Sequence, residues 1–168
     1  MEQFAGEPRG KRFREGVVGT FGSLFLALIL VGLTSSFGAL FRPGPWYQAL
    51  DKPAFTPPGW VFSPVWGALY LMIAAAGWLV WRSVRRPAHP ALLAWAGQLV
   101  ANALWSWIFF GLKNPGLALL DILVLLGLIL AFTAYAYPVS RGASLLFVLY
   151  ALWAGFAAYL NLGIVLLN

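Results

Sequence analysis

Five long apolar runs dominate the sequence and limit what the chain can fold into. A helix needs about 20 mostly apolar residues to cross the roughly 30 Å hydrocarbon core of a bilayer. Five runs are long enough: residues 17–40, 60–81, 91–112, 116–137 and 143–167. Only the fourth run contains a formal charge, at Asp121. The sequence therefore predicts an all-α membrane protein, a bundle of five transmembrane helices.

Composition and charge support this class and argue against others. Hydrophobic residues make up 61% of the chain and charged residues 10%, against about 25% charged residues in soluble domains. The basic residues lie in the breaks between the apolar runs, as topology signals do, and no nucleic-acid-binding motif accompanies them. We therefore expect membrane lipid around the protein and no nucleic acid as a partner. One histidine and no cysteine predict no metal site and no bound cofactor.

The distribution of Lys and Arg predicts the orientation. If the N-terminus is cytoplasmic, the inner segments hold eight of these residues and the outer segments three. The positive-inside rule then favours a cytoplasmic N-terminus, and helical spans favour the inner membrane. Residues 1–16 are predicted to be a basic, disordered cytoplasmic tail, and residues 17–168 a single transmembrane domain. The first run lacks a small-x-small cleavage site and is predicted to stay as a span.

The longest connection is residues 41–59, between the first and second runs. It contains five prolines. Each proline lacks an N–H and disfavours helix at the residue before it. We therefore expect an ordered, non-helical, proline-rich loop between helices 1 and 2.

Polar and aromatic side chains recur at helical spacing in three of the runs. Residues three or four apart share one face of a helix. The sets are Phe62, Trp66 and Leu69 with Tyr70 at the edge, then Trp95, Gln98, Asn102, Trp105 and Phe109, then Tyr150, Trp153, Ala157 and Asn161. If these faces converge, they line an apolar slot with a few polar anchors, which suits a large planar ligand. The competing interpretation is bundle packing, with the amides joining helices.

Other polar and small residues have more than one interpretation. Asp121 is interpreted as a carboxyl hydrogen-bonded near the interface, with a proton-relay or substrate role as the alternative. His89 is expected to be a solvated loop residue and not a haem ligand. Two small-xxx-small pairs permit close helix approach and a homodimer: Gly97 with Ala101, and Ala154 with Ala158.

The segment from Pro45 to Trp66 reads PWYQALDKPAFTPPGWVFSPVW. It resembles the signature of the translocator protein family, also called tryptophan-rich sensory proteins or peripheral-type benzodiazepine receptors. Asn102 with Trp105, Asp121, and residues 150–161 are similar to the later motifs of that family. The resemblance covers about residues 17–167.

The resemblance implies a five-helix bundle, often dimeric, with a pocket beneath the first loop. Members of the family bind porphyrins, and several bind cholesterol and benzodiazepine-type or isoquinoline ligands. The positions that match pocket residues of the family are Tyr47, Trp66, Asn102, Trp153 and Ala157. The chain departs from the family's cholesterol-recognition stretch, because no Lys or Arg follows Tyr159.

The first functional hypothesis is a membrane receptor, sensor or carrier for protoporphyrin, haem precursors or similar flat apolar ligands. Trp66 and Trp153 would stack on the ring, and Asn102 would hydrogen-bond to it. Arg42 and Lys52 would contact the propionates. The predicted ligand-binding residues are Tyr47, Phe62, Trp66, Gln98, Asn102, Trp105, Tyr150, Trp153 and Ala157.

The alternative functions predict different measurements. Light- and oxygen-dependent porphyrin degradation would rely on Trp66 and Trp153, because the sequence offers no acid–base pair or nucleophile for ordinary catalysis. It would form product over repeated turnovers. An ion-coupled transporter normally carries several intramembrane carboxylates, and here Asp121 stands alone. A purely structural bundle would bind no ligand saturably.

Overall fold

The computed structural model describes the backbone of residues 9–168 and the side chains of residues 21–168. Every regular element in this part of the chain is helical. In chain order the elements are α1 (Arg9–Gly38), α2 (Pro45–Ala49), α3 (Gly59–Val84), α4 (Pro90–Ser106), α5 (Pro115–Ala136) and α6 (Arg141–Leu167). A π-helical turn, Trp107–Gly111, continues α4. Five helices are long and apolar enough to cross a membrane, so the predicted fold class of a multi-pass helical membrane protein is confirmed.

Three spanning helices extend beyond the predicted apolar runs at one end of the bundle. α1 begins at Arg9 instead of residue 17, α3 ends at Val84 instead of residue 81, and α6 begins at Arg141 instead of residue 143. Lys and Arg are good helix formers, and their charges can stay hydrated beyond the bilayer core. The tail predicted for residues 1–16 therefore has a helical backbone from Arg9 onward, and residues 1–8 lie outside the described part of the chain.

Side chains at the connections cap three of the helices. Oδ1 of Asn114 accepts a hydrogen bond from the Leu117 N–H (3.0 Å), and Pro115 occupies the first position of α5. Oγ of Ser140 accepts from the N–H of Ala143 at the start of α6 (3.4 Å). Each cap satisfies an N–H that has no partner within its helix. His89, expected to be a solvated loop residue, is half-buried and caps α4 in the same way.

The proline-rich loop is ordered, but the expectation that it lacks helix is wrong for five residues. Pro45–Ala49 form the short helix α2, with Pro45 at its first position. Proline is well suited to this position, because its fixed φ is helical and its missing N–H would have no partner there. The prolines that follow, from Pro53 onward, keep the rest of the loop out of helical structure as expected.

The five spanning helices pack in a closed ring. α1 packs against α3, α3 against α6, α6 against α5, α5 against α4, and α4 against α1. α3 and α4 also meet across the ring, less extensively than the neighbouring pairs. As a result, one face each of α3, α4 and α6 points towards the centre of the bundle.

Small residues allow the helices to approach closely inside this ring. Ala101, Ala154 and Ala158 are buried, and a Cβ on Gly97 would touch Leu128 of α5 at 3.5 Å. Both small-xxx-small pairs found in the sequence therefore serve contacts within one chain.

Candidate ligand-binding site

A chain of side-chain hydrogen bonds links α3, α4 and α6 inside the bundle. The Tyr70 hydroxyl donates to Oδ1 of Asn102 (3.0 Å), and Nδ2 of Asn102 donates to the Tyr150 hydroxyl (2.9 Å). The Tyr150 hydroxyl in turn donates to Oε1 of Gln98 (3.2 Å). Gln98, Asn102 and Tyr150 are buried. These four residues are called the central network below.

Aromatic rings from α3 and α6 border the central network. The ring centroid of Trp66 lies 5.5 Å from that of Tyr70 and 6.4 Å from that of Tyr150. One turn nearer the proline-rich loop, Phe62 meets Trp153 edge to face at 6.0 Å. Such pairs contribute about 0.5–1.5 kcal/mol beyond the burial of their area. The aromatic faces predicted for the second and fifth spans therefore meet across the α3–α6 contact.

Two buried N–H groups at this site have no hydrogen-bond partner among the described residues. They are Nε2 of Gln98 and Nε1 of Trp153. A buried donor without an acceptor costs about 1–3 kcal/mol. A ligand atom with a lone pair, such as a carbonyl or carboxylate oxygen, would satisfy either donor. The site therefore combines aromatic faces with two donors that are free to bind an acceptor.

A second aromatic group lies between the proline-rich loop and the end of α4. Trp105 stacks on Phe109, with centroids 4.9 Å apart and planes 22° from parallel. Tyr47 of α2 contacts Phe109 and Phe110 at 6.1 and 5.5 Å, and Trp46 contacts Phe109 at 5.9 Å. These five residues are called the loop cluster. They pack the loop onto the bundle.

Trp105 also connects the loop cluster to α5 and α6. Its Nε1 donates to Oδ1 of Asn161 (3.1 Å), and Nδ2 of Asn161 donates to the carbonyl of Pro115 at the start of α5 (2.8 Å). Trp105 packs against both hydrophobic clusters of the bundle. Its indole N–H is therefore occupied by a protein contact, while its ring packs against both hydrophobic clusters.

The π-helical turn places the rings of the loop cluster. The N–H of Leu112 donates to the carbonyl of Trp107 five residues earlier (2.9 Å), instead of the usual four. One residue is thus added to the last turn, and Phe109 and Phe110 both come to face Tyr47. Such π turns are frequent at functional sites.

The side chains of the two basic residues of the loop donate hydrogen bonds to backbone carbonyls. Nζ of Lys52 donates to two carbonyls at the end of α2, at 3.2 and 3.0 Å, and lies 5.0 Å from the centre of the Tyr47 ring. Nε of Arg42 donates to the carbonyl of Ala39 at 3.4 Å. Partial burial raises the pKa of the Tyr47 hydroxyl above its ordinary value. Contact of Arg42 and Lys52 with ligand propionates stays a prediction.

The structure places most of the sequence-predicted ligand-binding residues either in or beside the central network or in the loop cluster. Ala157 is half-buried and packs against the main hydrophobic cluster, while Tyr47 and Trp105 belong to the loop cluster. The remaining predicted residues lie in or beside the central network: Phe62, Trp66, Gln98, Asn102, Tyr150 and Trp153.

Two aromatic residues differ from their sequence-based interpretation. Tyr70, placed only at the edge of its stripe, is a full member of the central network; its position one turn after Trp66 was the available signal. Trp95 shares the stripe of Gln98 but has a packing role: its Nε1 donates to the carbonyl of Ile73 (2.8 Å), and its ring covers Gly77.

Asp121 is half-buried on α5. Its Oδ2 atom has no hydrogen-bond partner among the described residues. The hydrogen bond that the sequence-based interpretation expected for the carboxyl is therefore not made by this oxygen within the described part of the chain, and Asp121 is not a member of the central network.

A ring of five spanning helices, with a buried polar network between aromatic rings, defines a multi-pass membrane protein with a candidate ligand site inside the bundle. The model of the TspO/MBR family matches residues 24–167. Because this match covers most of the sequence, the chain belongs to the TspO/MBR family.

Individual relatives agree with this family. The chain is 38% identical over 143 residues to the tryptophan-rich protein TspO of Archaeoglobus fulgidus, covering 85% of this chain and 93% of the relative. It is 39% identical over 136 residues to the translocator protein of Sus scrofa, covering 79% and 80%. It is 36% identical over 148 residues to the tryptophan-rich sensory protein of Cereibacter sphaeroides, covering 87% and 92%.

Proposed function

We propose that this protein is a membrane receptor, sensor or carrier that binds tetrapyrroles such as protoporphyrin, or similar flat apolar molecules, within its helix bundle. The central network carries the proposal: three helices contribute its amides and hydroxyls, and Trp66 packs against its two tyrosine rings. Trp153 lies one turn nearer the proline-rich loop, against Phe62. Polar side chains inside a membrane are costly and mark functional sites or helix contacts. The names of the relatives, translocator protein and tryptophan-rich sensory protein, support a role in transport or sensing.

In the proposed complex the indoles of Trp66 and Trp153 contact the faces of the macrocycle. Flat rings offer large contact area at low cost in side-chain entropy. The unpartnered N–H groups of Gln98 and Trp153 donate to acceptors on the ligand. Asn102 orients the hydroxyls of Tyr70 and Tyr150. Tyr47 and the rest of the loop cluster close the site from the outer side.

Protoporphyrin titration monitored by tryptophan quenching tests the proposal. Trp66→Ala and Trp153→Ala are each expected to raise the dissociation constant about tenfold or more, as loss of a central aromatic contact does. Trp60→Ala is the matched control, because Trp60 is 75% exposed on the outer face of α3. Thermal unfolding identifies variants that fail to fold. Unchanged binding in both site variants would refute the proposal.

Porphyrin degradation is a second candidate, because the two indoles that would carry it lie on the same α3–α6 contact, Trp66 against Tyr150 and Trp153 against Phe62. Under light and oxygen, degradation would give a product over repeated turnovers that is lost in Trp66→Phe and Trp153→Phe. Bleaching at the rate of free porphyrin, unaffected by either substitution, would leave binding as the function.

We also propose a homodimer in the inner membrane with the N-terminus in the cytoplasm. Since Ala101, Ala154 and Ala158 are buried in the bundle, the dimer contact must use other residues on the outer surface. Light scattering of the detergent-solubilised protein should give twice the mass of one chain. A single-chain mass at all protein concentrations would contradict the dimer.

A further inference from the structure

Four arginines collect at the end of the bundle opposite the proline-rich loop. They are Arg82, Arg85, Arg86 and Arg141. The acidic residues within the part of the chain whose side chains are described, Asp51 and Asp121, lie in the other half of the bundle. None of the four arginines has an ion pair or a hydrogen bond from its side chain within that part. This end therefore carries positive charge without a described counter-charge.

Two of these arginines lie over aromatic rings. The guanidinium carbon of Arg82 lies 4.8 Å from the centre of the Trp78 ring, and that of Arg141 lies 5.5 Å from the centre of the Tyr137 ring. A guanidinium over a ring keeps its N–H groups at its edge, where they can bind an oxyanion. Both side chains are exposed.

Arg82 and Arg141 flank one seam between two helices. The seam is marked by Leu79 of α3 and Gly142 of α6, since a Cβ on Gly142 would lie 3.9 Å from Cδ1 of Leu79. Arg82 is three residues after Leu79, and Arg141 directly precedes Gly142. The two guanidinium groups thus belong to neighbouring helices at the same level of the membrane.

Arg82 and Arg141 each lie at one end of a row of residues on the outer face of their helices. On α3 the row continues from Arg82 through Trp78 to Leu71, which is 65% exposed. The row on α6 continues at helical spacing from Arg141 through three exposed leucines, Leu145, Leu149 and Leu152. An apolar track therefore runs away from each charged group along the outer side of the seam.

We propose that the outer side of the α3–α6 seam binds an acidic phospholipid. Arg82 and Arg141 bind the phosphate of the headgroup, and the acyl chains lie along the two apolar rows. Charge complementarity selects an anionic lipid over a zwitterionic one, because Arg matches phosphate geometry and the net charge here is positive. The leucines select a lipid over a soluble phosphate, which has nothing to place on them.

Native mass spectrometry of the full chain in detergent, titrated with phosphatidylglycerol or phosphatidylcholine, tests this proposal. Each positive charge near an anionic lipid is worth about 1 kcal/mol, or about fivefold in affinity. Arg82→Gln with Arg141→Gln should therefore weaken phosphatidylglycerol binding about 25-fold. The matched control, Arg42→Gln with Lys113→Gln, removes two charges at the opposite end and should change this binding less than about threefold.

Three results would overturn the proposal. Equal weakening in both double variants would mean diffuse charge attraction. Equal retention of phosphatidylcholine and phosphatidylglycerol by the unmodified chain would mean no headgroup selection. Displacement of phosphatidylglycerol by glycerol phosphate at constant ionic strength would mean a soluble anion site. Porphyrin binding should be unchanged in Arg82→Gln with Arg141→Gln. The lipid proposal and the tetrapyrrole proposal can therefore be refuted independently of each other.

Discussion

The Tyr150 hydroxyl occupies the middle of the central network and bonds in both directions. It accepts from Nδ2 of Asn102 and donates to Oε1 of Gln98. A hydroxyl suits this place because it has one donor and two acceptor sites. The surrounding bundle excludes water, so neither amide would have a ready substitute partner if the hydroxyl were removed.

Tyr150→Phe is expected to destabilise the protein by roughly 1–2 kcal/mol, because it leaves an amide N–H and an amide oxygen buried without partners. Tyr135→Phe is the control: Tyr135 is 50% exposed, and its loss of a hydroxyl should cost less than about 0.5 kcal/mol. Unfolding in mixed detergent micelles measures both. Equal stability of the two variants would show that the network contributes nothing to folding.

Gly77 is the residue that allows α3 and α4 to meet. The Trp95 indole lies directly over its backbone, and any Cβ there would overlap the ring. The same indole donates to the carbonyl of Ile73 one turn earlier on α3 (2.8 Å). Glycine is needed here for space and not for its backbone freedom, since its conformation is helical.

Gly77→Ala is expected to lower the free energy of unfolding by about 1–3 kcal/mol through overpacking. Gly127→Ala, on the exposed face of α5, meets no atom within 4 Å and should be neutral or stabilising by up to about 1 kcal/mol, because alanine is the better helix former. The difference between their unfolding midpoints is the readout. A midpoint for Gly77→Ala at or above that of Gly127→Ala would contradict the packing described for Trp95.

The proline-rich loop and α6 form one structural unit. The N–H of Asp51 donates to Oδ1 of Asn168 (3.0 Å), and Nδ2 of Asn168 donates back to the Asp51 carbonyl (3.1 Å). Gly163 lies beneath Pro53, so close that a Cβ would come within 2.5 Å of the proline ring. On its other side the loop is packed by Tyr47 of the loop cluster. The loop is thus fixed to two helices that border the candidate site.

Gly163→Ala should therefore loosen the loop. An overlap of this kind costs about 1–3 kcal/mol, so amide hydrogen exchange at Asp51 should speed up about tenfold. Gly155→Ala lies on the same helix with no atom within 4 Å, and exchange at Asp51 should be unchanged. Equal exchange rates in the two variants would mean that α6 does not hold the loop.

The elements that the sequence predicted well are those set by local pattern. Apolar run length determines the five spans, and helical spacing correctly put Trp66 and Tyr150 on inward faces. What was missed depends on tertiary contacts. The π turn occurs where Phe109 and Phe110 pack against the loop, and the spacing of residues in the sequence does not predict it. The two hydrogen bonds from the Lys52 ammonium group to carbonyls of its own loop were also not predicted, and they are local contacts.

An odd number of spans places the two ends of the spanning region on opposite sides of the membrane. The short connections and the closed ring of helices leave few other ways to thread the chain. α3 crosses the membrane from the proline-rich loop to the arginine-bearing end, so these two ends of the bundle face different compartments. Under the proposed orientation, the arginines face the cytoplasm.

Cysteine labelling tests this orientation without interference, because the chain has no cysteine of its own. Ala54→Cys lies on the exposed loop and Ala88→Cys on the exposed connection between α3 and α4. A membrane-impermeant maleimide should label Ala54→Cys in intact spheroplasts, and Ala88→Cys only after lysis. The reverse pattern would invert the topology.

A structure of the protein with protoporphyrin bound, in a lipid environment, examines the proposed site itself. We expect the macrocycle inside the ring of helices, with the indoles of Trp66 and Trp153 in van der Waals contact with it and an acceptor atom within hydrogen-bond distance of Gln98 Nε2 or Trp153 Nε1. A macrocycle bound only on the lipid-facing surface, with Trp66 and Tyr150 packed together as they are without it, would contradict the proposal.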